Sequence, residues 1–443
     1  GGGEATGGGD ATGGGDATDA GPDFIVTRLE TGALDAGGAA VPYELLRLER
    51  PGHAPAYAQW MPAAAQGGAL RPVLLITRPY DGIDWTGEAV DARWAALGAG
   101  FHPDVDSPAA PANAGVIAYQ PMTRQQEADD AFIWRANGIS VLSVYGRFYA
   151  GGSIQNDVDD MTAGLEFLAR EPGVDTSRIG IFGGSWGGFE ALYGAAGAPD
   201  AAVPVVGVAL YPLSDFAAEY RFIVHEMPQR YTLPTSHDAN TAFFAPYLRR
   251  VVATTGGTPD AGGDFSSFDV TGLATRLRTP FLLLHEDYDT LVGIDQSEAL
   301  VAARPDLVDA LYVRHVGPPQ PTWDAVLTAH GPELGGFAGA GVTPFIVARL
   351  LKPLVSGTFY VPWSDELTTT LLWMRDRQRD GAPHPELAAR LLELHDARVM
   401  MVHVNSGALS PGPDTVTTLV NQVWGTTYTP AQLPAALDGG LPP

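Results

Sequence analysis

The chain of 443 residues contains no cysteine and only one lysine, Lys352. Without cysteine, thiol nucleophiles, disulfide bonds and thiolate metal sites are all excluded. Acidic residues outnumber basic ones so far that the formal net charge is −25. Nucleic acids and anionic membranes are therefore poor partners, because the chain cannot supply the basic surface that releases their counterions.

Long apolar runs are also missing. No stretch of about 18 apolar residues occurs, so the sequence predicts no membrane-spanning helix. Hydrophobic residues still make up 45% of the chain, which is ample for a large core. Because α/β domains often run well past the average domain length, the chain could form one large catalytic domain.

Residues 1–18 are three glycine-rich hexapeptides, Gly-Gly-Gly-Glu-Ala-Thr and then Gly-Gly-Gly-Asp-Ala-Thr twice. Such a segment cannot bury a core, so we expect residues 1–23 to form a flexible, acidic tether. Tethers of this kind often follow the lipidated cysteine of bacterial envelope lipoproteins. We therefore expect a cell-envelope or extracellular location, with a lipid anchor on a residue before Gly1; a simple disordered tail is the alternative.

Short apolar runs that suit buried strands recur through residues 24–360, and amphipathic segments that suit helices separate the later ones. The predicted strands are 41–49, 56–61, 72–77, 139–145, 179–182, 204–210, 279–285 and 310–316, and the clearest helices are 156–170 and 294–303. The first two strands alternate apolar and polar residues, as antiparallel strands do. Strands that alternate with helices predict an α/β domain with a mostly parallel central sheet and helices on both faces.

Three segments interrupt this alternation of strands and helices. Residues 83–135 read as a long irregular stretch, and loops of that length are usually functional or lid-like. Residues 211–278 are rich in aromatics and suggest a cap inserted after a strand, whose aromatics either line a substrate pocket or hold the cap together. Residues 361–443 predict a helical C-terminal extension, with helices at 365–377, 385–395 and 415–424 and a short strand at 398–404.

The most informative stretch is a Gly-x-Ser-x-Gly turn, in which Gly183 and Gly187 flank Ser185 between a predicted strand and a predicted helix. Strand, tight turn and helix together indicate a nucleophile elbow. The turn would hold Ser185 in a strained conformation with its hydroxyl exposed, and would aim the amide of Trp186 at a developing oxyanion. The alternatives are a glycine-rich turn or a phosphate loop, although no Gly-Lys-Ser/Thr follows.

A serine nucleophile needs a base, and the base needs a carboxylate that orients it. In a domain with such an elbow the chain order is serine, acid, histidine. Asp289 follows the predicted strand 279–285 and is our candidate acid, with Asp287 next. His330 follows the next strand and is our candidate base; the alternatives are His315, inside that strand, and His403, which comes later.

The predicted helix 156–170 begins with three aspartates, Asp157, Asp159 and Asp160. Negative charges in the first turn of a helix interact favourably with the helix dipole, and we favour this explanation. A cation site formed by the three carboxylates is the alternative.

Residues 175–188, Asp-Thr-Ser-Arg-Ile-Gly-Ile-Phe-Gly-Gly-Ser-Trp-Gly-Gly, resemble the serine strand and elbow of the prolyl oligopeptidase family. Residues 72–82, Pro-Val-Leu-Leu-Ile-Thr-Arg-Pro-Tyr-Asp-Gly, resemble the cocaine esterase and Xaa-Pro dipeptidyl-peptidase family more closely. In both families a tyrosine after this strand donates its hydroxyl to the oxyanion hole, and the resemblance places that role on Tyr80. Residues 285–292 resemble the acid loop, with Asp289 at the matching position.

The resemblance covers roughly residues 41–352 and implies an α/β-hydrolase fold with an inserted cap. The chain has no room for the β-propeller of the first family, and its last 91 residues are too short and too helical for the β-sandwich of the second. The usual Asp-x-Arg-Gly motif reads Tyr-Gly-Arg-Phe at 145–148, and the usual His-Gly reads His285-Glu286. Despite these departures, the resemblance still implies the α/β-hydrolase fold. It does not imply peptidase specificity.

The sequence thus predicts a serine hydrolase that cleaves an ester or amide bond of a small substrate through an acyl-enzyme intermediate, in carboxylesterase fashion. The predicted site consists of Ser185, Asp289 and His330, with Tyr80 and Trp186 as oxyanion donors. No metal or organic cofactor is required by this chemistry. Two alternatives stay open: a prolyl oligopeptidase-like or Xaa-Pro dipeptidyl-peptidase, and a catalytically inactive hydrolase fold that acts as an envelope binding module.

Overall fold

A computed structural model describes residues 24–64, 68–78, 124–136, 138–148, 152–230, 247–287, 289, 291–313, 360–363, 400–403 and 415–442, with scattered positions between 372 and 395. Its strands are β1 (Ile25–Ala36), β2 (Ala39–Glu49), β3 (Ala56–Met61), β4 (Arg71–Arg78), β5 (Ser140–Tyr145), β6 (Val174–Gly184), β7 (Val206–Leu210), β8 (Phe281–Glu286), β9 (Val308–Val313), β10 (Tyr360–Trp363) and β11 (Met400–His403). Its helices are α1 (Arg124–Ala136), α2 (Ile154–Arg170), α3 (Trp186–Ala196), α4 (Phe216–Arg221), α5 (Met227–Arg230), α6 (Val270–Arg276), α7 (Asp295–Ala303), α8 (Thr415–Trp424) and α9 (Leu433–Asp438).

Nine strands form one sheet in the order β1-β2-β3-β5-β4-β6-β7-β8-β9. The five pairs from β5 to β9 in this order are all parallel, whereas β1, β2 and β3 are joined to the sheet by antiparallel pairs. The mostly parallel central sheet predicted from the sequence is confirmed, and with it the α/β-hydrolase fold. Because β6 lies inside the sheet, the turn that follows it stands at the middle of the carboxyl edge.

The sheet is buried on both faces because its central strands are continuously apolar. Along β4 the side chains alternate between two hydrophobic clusters, with Val73 and Leu75 in one and Leu74 and Ile76 in the other. Helices α2 and α3 contribute to the first cluster, and α1, α8 and α9 contribute to the second. Helices therefore cover both faces, as the sequence predicts.

The prediction of an irregular stretch over 83–135 is wrong from Arg124 onward, where the structure has helix α1. Its Glu127 is fully buried and accepts hydrogen bonds from Arg78 (3.0 Å), from the hydroxyl of Ser143 (2.6 Å) and from that of Tyr145 (2.8 Å). This buried polar contact attaches the helix to the ends of β4 and β5. Residues 79–123, including most of the predicted lid, lie outside the described residues.

The described part of the predicted cap over 211–278 contains several helices joined by turns, and α4 continues through a π-helix at Phe222–Glu226 into α5. Five of its aromatics belong to a hydrophobic core cluster, in agreement with the interpretation that such side chains hold the cap together. They are Phe216, Phe222, Tyr247, Phe265 and Phe268.

The C-terminal residues pack on the sheet. The predicted helix at 415–424 is confirmed as α8, and the predicted strand at 398–404 appears as β11, in a parallel pair with β10. Apolar side chains of α8, Val416, Leu419 and Val420 among them, lie in the same cluster as Leu282 and Leu284 of β8. Within the described residues, no helix is long and apolar enough to cross a membrane.

Candidate active site

Ser185 occupies the turn between β6 and α3 with φ 56° and ψ −122°. Among the described residues only Ser185 and Tyr211 are non-glycine residues with positive φ. Such a conformation costs about 1–3 kcal/mol and persists only when the surroundings enforce it. Here the amide of Ser185 donates to Leu210 O (2.8 Å), and its carbonyl accepts from the amide of Gly188 (2.9 Å). The strained turn that the sequence predicts is confirmed.

The close approach of strand and helix explains the glycine two residues before the serine. A Cβ atom on Gly183 would collide with the carbonyl oxygen of Gly187 and with Oγ1 of Thr77. Thr77, on β4, donates its hydroxyl hydrogen bond to that same Gly187 carbonyl (2.9 Å). The turn is thereby held from the neighbouring strand, and any side chain at position 183 would displace the serine.

Asp289 lies in the loop after β8 and is 4% exposed. Its Oδ1 accepts hydrogen bonds from the amides of Leu291 (3.0 Å) and Val292 (2.8 Å), while its own amide donates to Glu286 O (3.3 Å). One carboxylate oxygen is thus engaged by the loop backbone. Asp287, the second candidate acid, is only partly buried.

His285 anchors this acid loop and was not assigned a role from the sequence. It is fully buried, with Nε2 2.9 Å from Val292 O and Nδ1 2.8 Å from the hydroxyl of Ser297 on α7. Because a carbonyl oxygen only accepts, Nε2 carries a hydrogen, while Nδ1 is paired with the serine hydroxyl. Nε2 is also 3.9 Å from Asp289 Oδ2. An imidazole that is engaged on both nitrogens holds the loop and is poorly suited to act as the base.

Ser185 and Asp289 stand at the same edge of the sheet, because each follows a parallel strand and only β7 separates β6 from β8. Neighbouring strands lie about 4.8 Å apart, so two strand steps separate the two turns by about 10 Å. An imidazole between the two residues would bridge this gap. The arrangement therefore leaves room for a histidine base.

Tyr211 lies between them, directly after β7, and sequence reasoning missed it. Its φ is 36°, and its amide donates to Leu284 O at the end of β8 (2.6 Å). Its hydroxyl is 3.5 Å from the position that a Cβ on Gly184 would take. The signal in the sequence was a tyrosine at the carboxyl end of a central strand, next to the serine turn.

Trp186, the predicted oxyanion donor, begins α3 with its indole buried. The indole Nε1 donates to Oδ2 of Asp157 on α2 (2.6 Å). Asp157 and Asp160 are both fully buried, so the favoured explanation as helix-start charges is incomplete. Asp160 pairs with Arg147 (2.8 Å). The first turn of α2 is instead capped by Ser153, with Asn156 completing a capping box.

The described residues show no arrangement that supports a cation site at these three aspartates. In the part of the chain that the structure describes, no group of three or more His, Cys, Asp or Glu side chains could hold a metal ion.

Three predicted residues cannot be placed. Tyr80 and His330, and the alternative base His315, lie outside the described residues, while His403 belongs to β11. The structure therefore brings Ser185, Trp186 and Asp289 together at one edge and leaves the base and the second oxyanion donor as predictions.

A further carboxyl, Glu219 of α4, is buried near the acid loop. It is 3% exposed, and its Oε2 has no hydrogen-bond partner. Burial, followed by the charges of Asp289 and Asp295, raises the pKa of Glu219 well above its ordinary value. The carboxyl is therefore protonated under conditions where an exposed glutamate is ionised.

We expect Glu219→Gln to stabilise the protein increasingly as the pH rises from 4.5 to 8. Above the unfolded pKa of Glu219, the unfolded chain loses a proton that the folded protein retains, so folding becomes less favourable by up to about 1.4 kcal/mol per pH unit. The neutral glutamine removes this loss and keeps the shape. Thermal unfolding at pH 4.5, 6 and 8 measures the effect. The control is Glu226→Gln, an exposed glutamate of the same segment; an equal gain there, or a gain independent of pH, contradicts the prediction.

Comparison with known proteins identifies the family of this region. The family model described as "Prolyl oligopeptidase family" matches residues 151–305, which run from α2 to the end of α7 and include both the serine turn and the acid loop. Residues 151–305 thus match the prolyl oligopeptidase family. The resemblance of the serine turn and the acid loop to this family is thereby confirmed, over about a third of the chain.

Solved structures with a similar fold include both peptidases and esterases. Porphyromonas gingivalis dipeptidyl peptidase 4 is 14% identical with a TM-score of 0.38, over 62% of this chain and 32% of that one. An acetyl xylan esterase from Paenibacillus sp. R4 is 16% identical with a TM-score of 0.41, over 67% and 85%. A puromycin hydrolase is 18% identical with a TM-score of 0.42, over 74% and 46%.

The chain spans about a third of the length of the dipeptidyl peptidases it matches. No curated protein matches it in sequence.

Proposed function

We propose that this protein is a serine hydrolase that cleaves an ester or amide bond through an acyl-enzyme intermediate, with carboxylesterase-type activity. The observation that carries the proposal is the positive φ of Ser185 in a glycine-lined turn between a central strand and a helix. A structural turn at this place would use glycine, which adopts positive φ without strain. A strained serine is favoured where its hydroxyl must be presented to a substrate.

In the proposed mechanism the Oγ of Ser185 attacks the substrate carbonyl carbon while His330 accepts the serine proton. Collapse of the tetrahedral intermediate expels the leaving group, to which His330 returns the proton. Water then attacks the acyl-enzyme by the same path and releases the acid. Asp289 orients His330 and stabilises its charged form.

The oxyanion would be held by the amide of Trp186 and by the hydroxyl of Tyr80. Trp186 begins α3, where the positive end of the helix dipole faces the serine turn. Such donors act where charge develops in the transition state and are worth about 2.7 to 4 kcal/mol each. The role of Tyr80 rests on the resemblance of residues 72–82 to the two families.

A peptidase is the second candidate, because the family that matches residues 151–305 is a peptidase family. We rank it below the esterase, since the usual Asp-x-Arg-Gly and His-Gly motifs of the two families are replaced here, by Tyr-Gly-Arg-Phe at 145–148 and by His285-Glu286. Faster turnover of Xaa-Pro chromogenic amides than of p-nitrophenyl acyl esters would reverse this order.

We also propose a location in the cell envelope, on the basis of the tether-like sequence of residues 1–23. These residues lie outside the described residues.

Labelling by a fluorophosphonate probe tests the proposed nucleophile. We expect the folded protein to be labelled on Ser185, because the probe reacts with serines that a neighbouring base activates. Ser185→Ala is expected to abolish labelling, whereas Ser214→Ala, which changes a buried serine after β7, is expected to retain it. Mass spectrometry of the labelled peptide identifies the site. Folded protein that resists the probe would favour the inactive binding module instead.

A further inference from the structure

A buried carboxylate lies directly behind the serine turn. Asp157 of α2 is fully buried, and its Oδ2 accepts the indole hydrogen bond of Trp186 (2.6 Å). Its Oδ1 accepts two more hydrogen bonds, from the amides of Arg147 and Phe148 in the loop after β5 (2.7 Å each). One side chain thus connects three segments at the carboxyl edge of the sheet: α2, the loop after β5 and the start of α3.

The charge of this carboxylate is balanced mainly by hydrogen bonds. The guanidinium of Arg147 pairs with Asp160 and donates to Ala54 O (3.0 Å). Burial, followed by the charge of Asp160, raises the pKa of Asp157 to about 7, while the three N–H donors act in the opposite direction. Such a group is costly in a core, where an apolar side chain of similar volume often stabilises as well or better. We explain the presence of Asp157 by the three N–H groups that it holds in place, those of Trp186, Arg147 and Phe148.

The indole of Trp186 is surrounded by aromatic rings. Ring centroids lie 4.3 Å away in Phe148, 5.1 Å in Phe189, and 5.5 Å in both Phe216 and Tyr247. Aromatic packing fills the space but is weakly directional, whereas a hydrogen bond to a charged acceptor sets the direction of the N–H. The hydrogen bond to Asp157 therefore fixes the rotation of the indole.

We propose that Asp157 is a positioning residue that holds the backbone amide of Trp186 in line with the developing oxyanion. It binds the indole through one oxygen and the loop after β5 through the other. The inference rests on the proposed function, since it assigns the amide of Trp186 to the oxyanion hole. Asp157 does not touch the substrate; it acts through Trp186.

Two variants break the connection from opposite sides. Asp157→Asn keeps the size of the side chain but can present an amide nitrogen to the indole N–H, so that two donors face each other. Trp186→Phe keeps an aromatic ring and leaves Asp157 and its bonds to Arg147 and Phe148 in place, which protects the fold. Asp159→Asn is the matched control, because Asp159 is on the same helix and is hydrogen-bonded to two exposed side chains, His53 and Gln155.

We expect Asp157→Asn to lower kcat for a p-nitrophenyl ester by about 10- to 100-fold, since small misplacements of catalytic groups have effects of this size. KM should hardly change, because the oxyanion forms only after binding. An aryl trifluoromethyl ketone, whose adduct with Ser185 carries an oxyanion, should bind more weakly by the same factor. Trp186→Phe should behave alike, and the double variant should be no worse than the more impaired single variant. Asp159→Asn should match the wild type.

The outcomes separate this inference from the proposed function. If Asp157→Asn and Trp186→Phe lower the melting temperature but keep kcat and ketone affinity, Asp157 is a structural residue and the inference is wrong. Fully additive losses in the double variant also overturn it, because the two side chains would then act independently. A wild type that neither hydrolyses esters nor reacts with a fluorophosphonate overturns the proposed function, and this inference with it.

Discussion

Replacing His330 with alanine is expected to lower kcat by about 10⁴- to 10⁶-fold, the largest effect among the changes considered for this protein. In acylation the base takes the proton of Ser185 and gives it to the leaving group, and in deacylation it takes a proton from water and returns it to Ser185. Because serine, base and acid act as a unit, losing the base removes most of the benefit of the other two. Steady-state turnover of a p-nitrophenyl ester, with circular dichroism as a check on folding, measures the loss.

His315→Ala and His403→Ala serve as matched controls for this prediction. Both histidines follow the acid loop in the chain, as the order serine, acid, histidine requires, and each was an alternative base. We expect both variants to retain kcat within a few-fold. Near-normal turnover in His330→Ala, together with a collapse of activity in either control, would move the base to that histidine.

Asp289→Asn is expected to lower kcat by about 10⁴-fold while the fold is retained. The amide oxygen of asparagine can keep the hydrogen bonds that Oδ1 now accepts from Leu291 and Val292. The amide nitrogen replaces Oδ2, however. The imidazole of the proposed base, His330, would then meet a hydrogen-bond donor where it requires an acceptor. The imidazole would then adopt the wrong tautomer, and its charged form would lose stabilisation.

Asp287→Asn provides the comparison, because Asp287 lies two residues away and is less buried. We expect it to leave kcat within a few-fold of the wild type. The pair is measured under the same conditions as the His330 series, with melting temperatures for both variants. A larger loss in Asp287→Asn than in Asp289→Asn would show that the acid has been assigned to the wrong aspartate.

The sequence by itself determined the serine turn and most of the sheet. Glycine at 183 and 187, an apolar run before Ser185 and helical spacing after it are all local features, and the backbone conformation of a tight turn depends on those few residues. The buried strands were readable for the same reason, since a central parallel strand is a short continuous apolar run. Asp289 was placed correctly at a strand end, although its burial relative to Asp287 became visible only in the structure.

The edge strand β1 and the helix α1 were not predicted. Strand β1 is largely exposed, so it lacks the apolar pattern that marks a buried strand. Helix α1 has weak apolar periodicity and is attached through Glu127, whose partners Arg78, Ser143 and Tyr145 are 49, 16 and 18 residues away. A glutamate in a sequence gives no sign that it will be buried among partners so distant.

Only the tertiary structure decided how the site is supported. Asp157 and Trp186 are 29 residues apart in the chain, and their contact exists because α2 and α3 pack on the same face of the sheet. His285 similarly holds the acid loop through Val292 and through Ser297 of α7. A residue's backbone conformation is encoded by its near neighbours. The partner of a buried polar group is set by which segments the sheet brings together, because such a group is stable only where a matching donor or acceptor meets it.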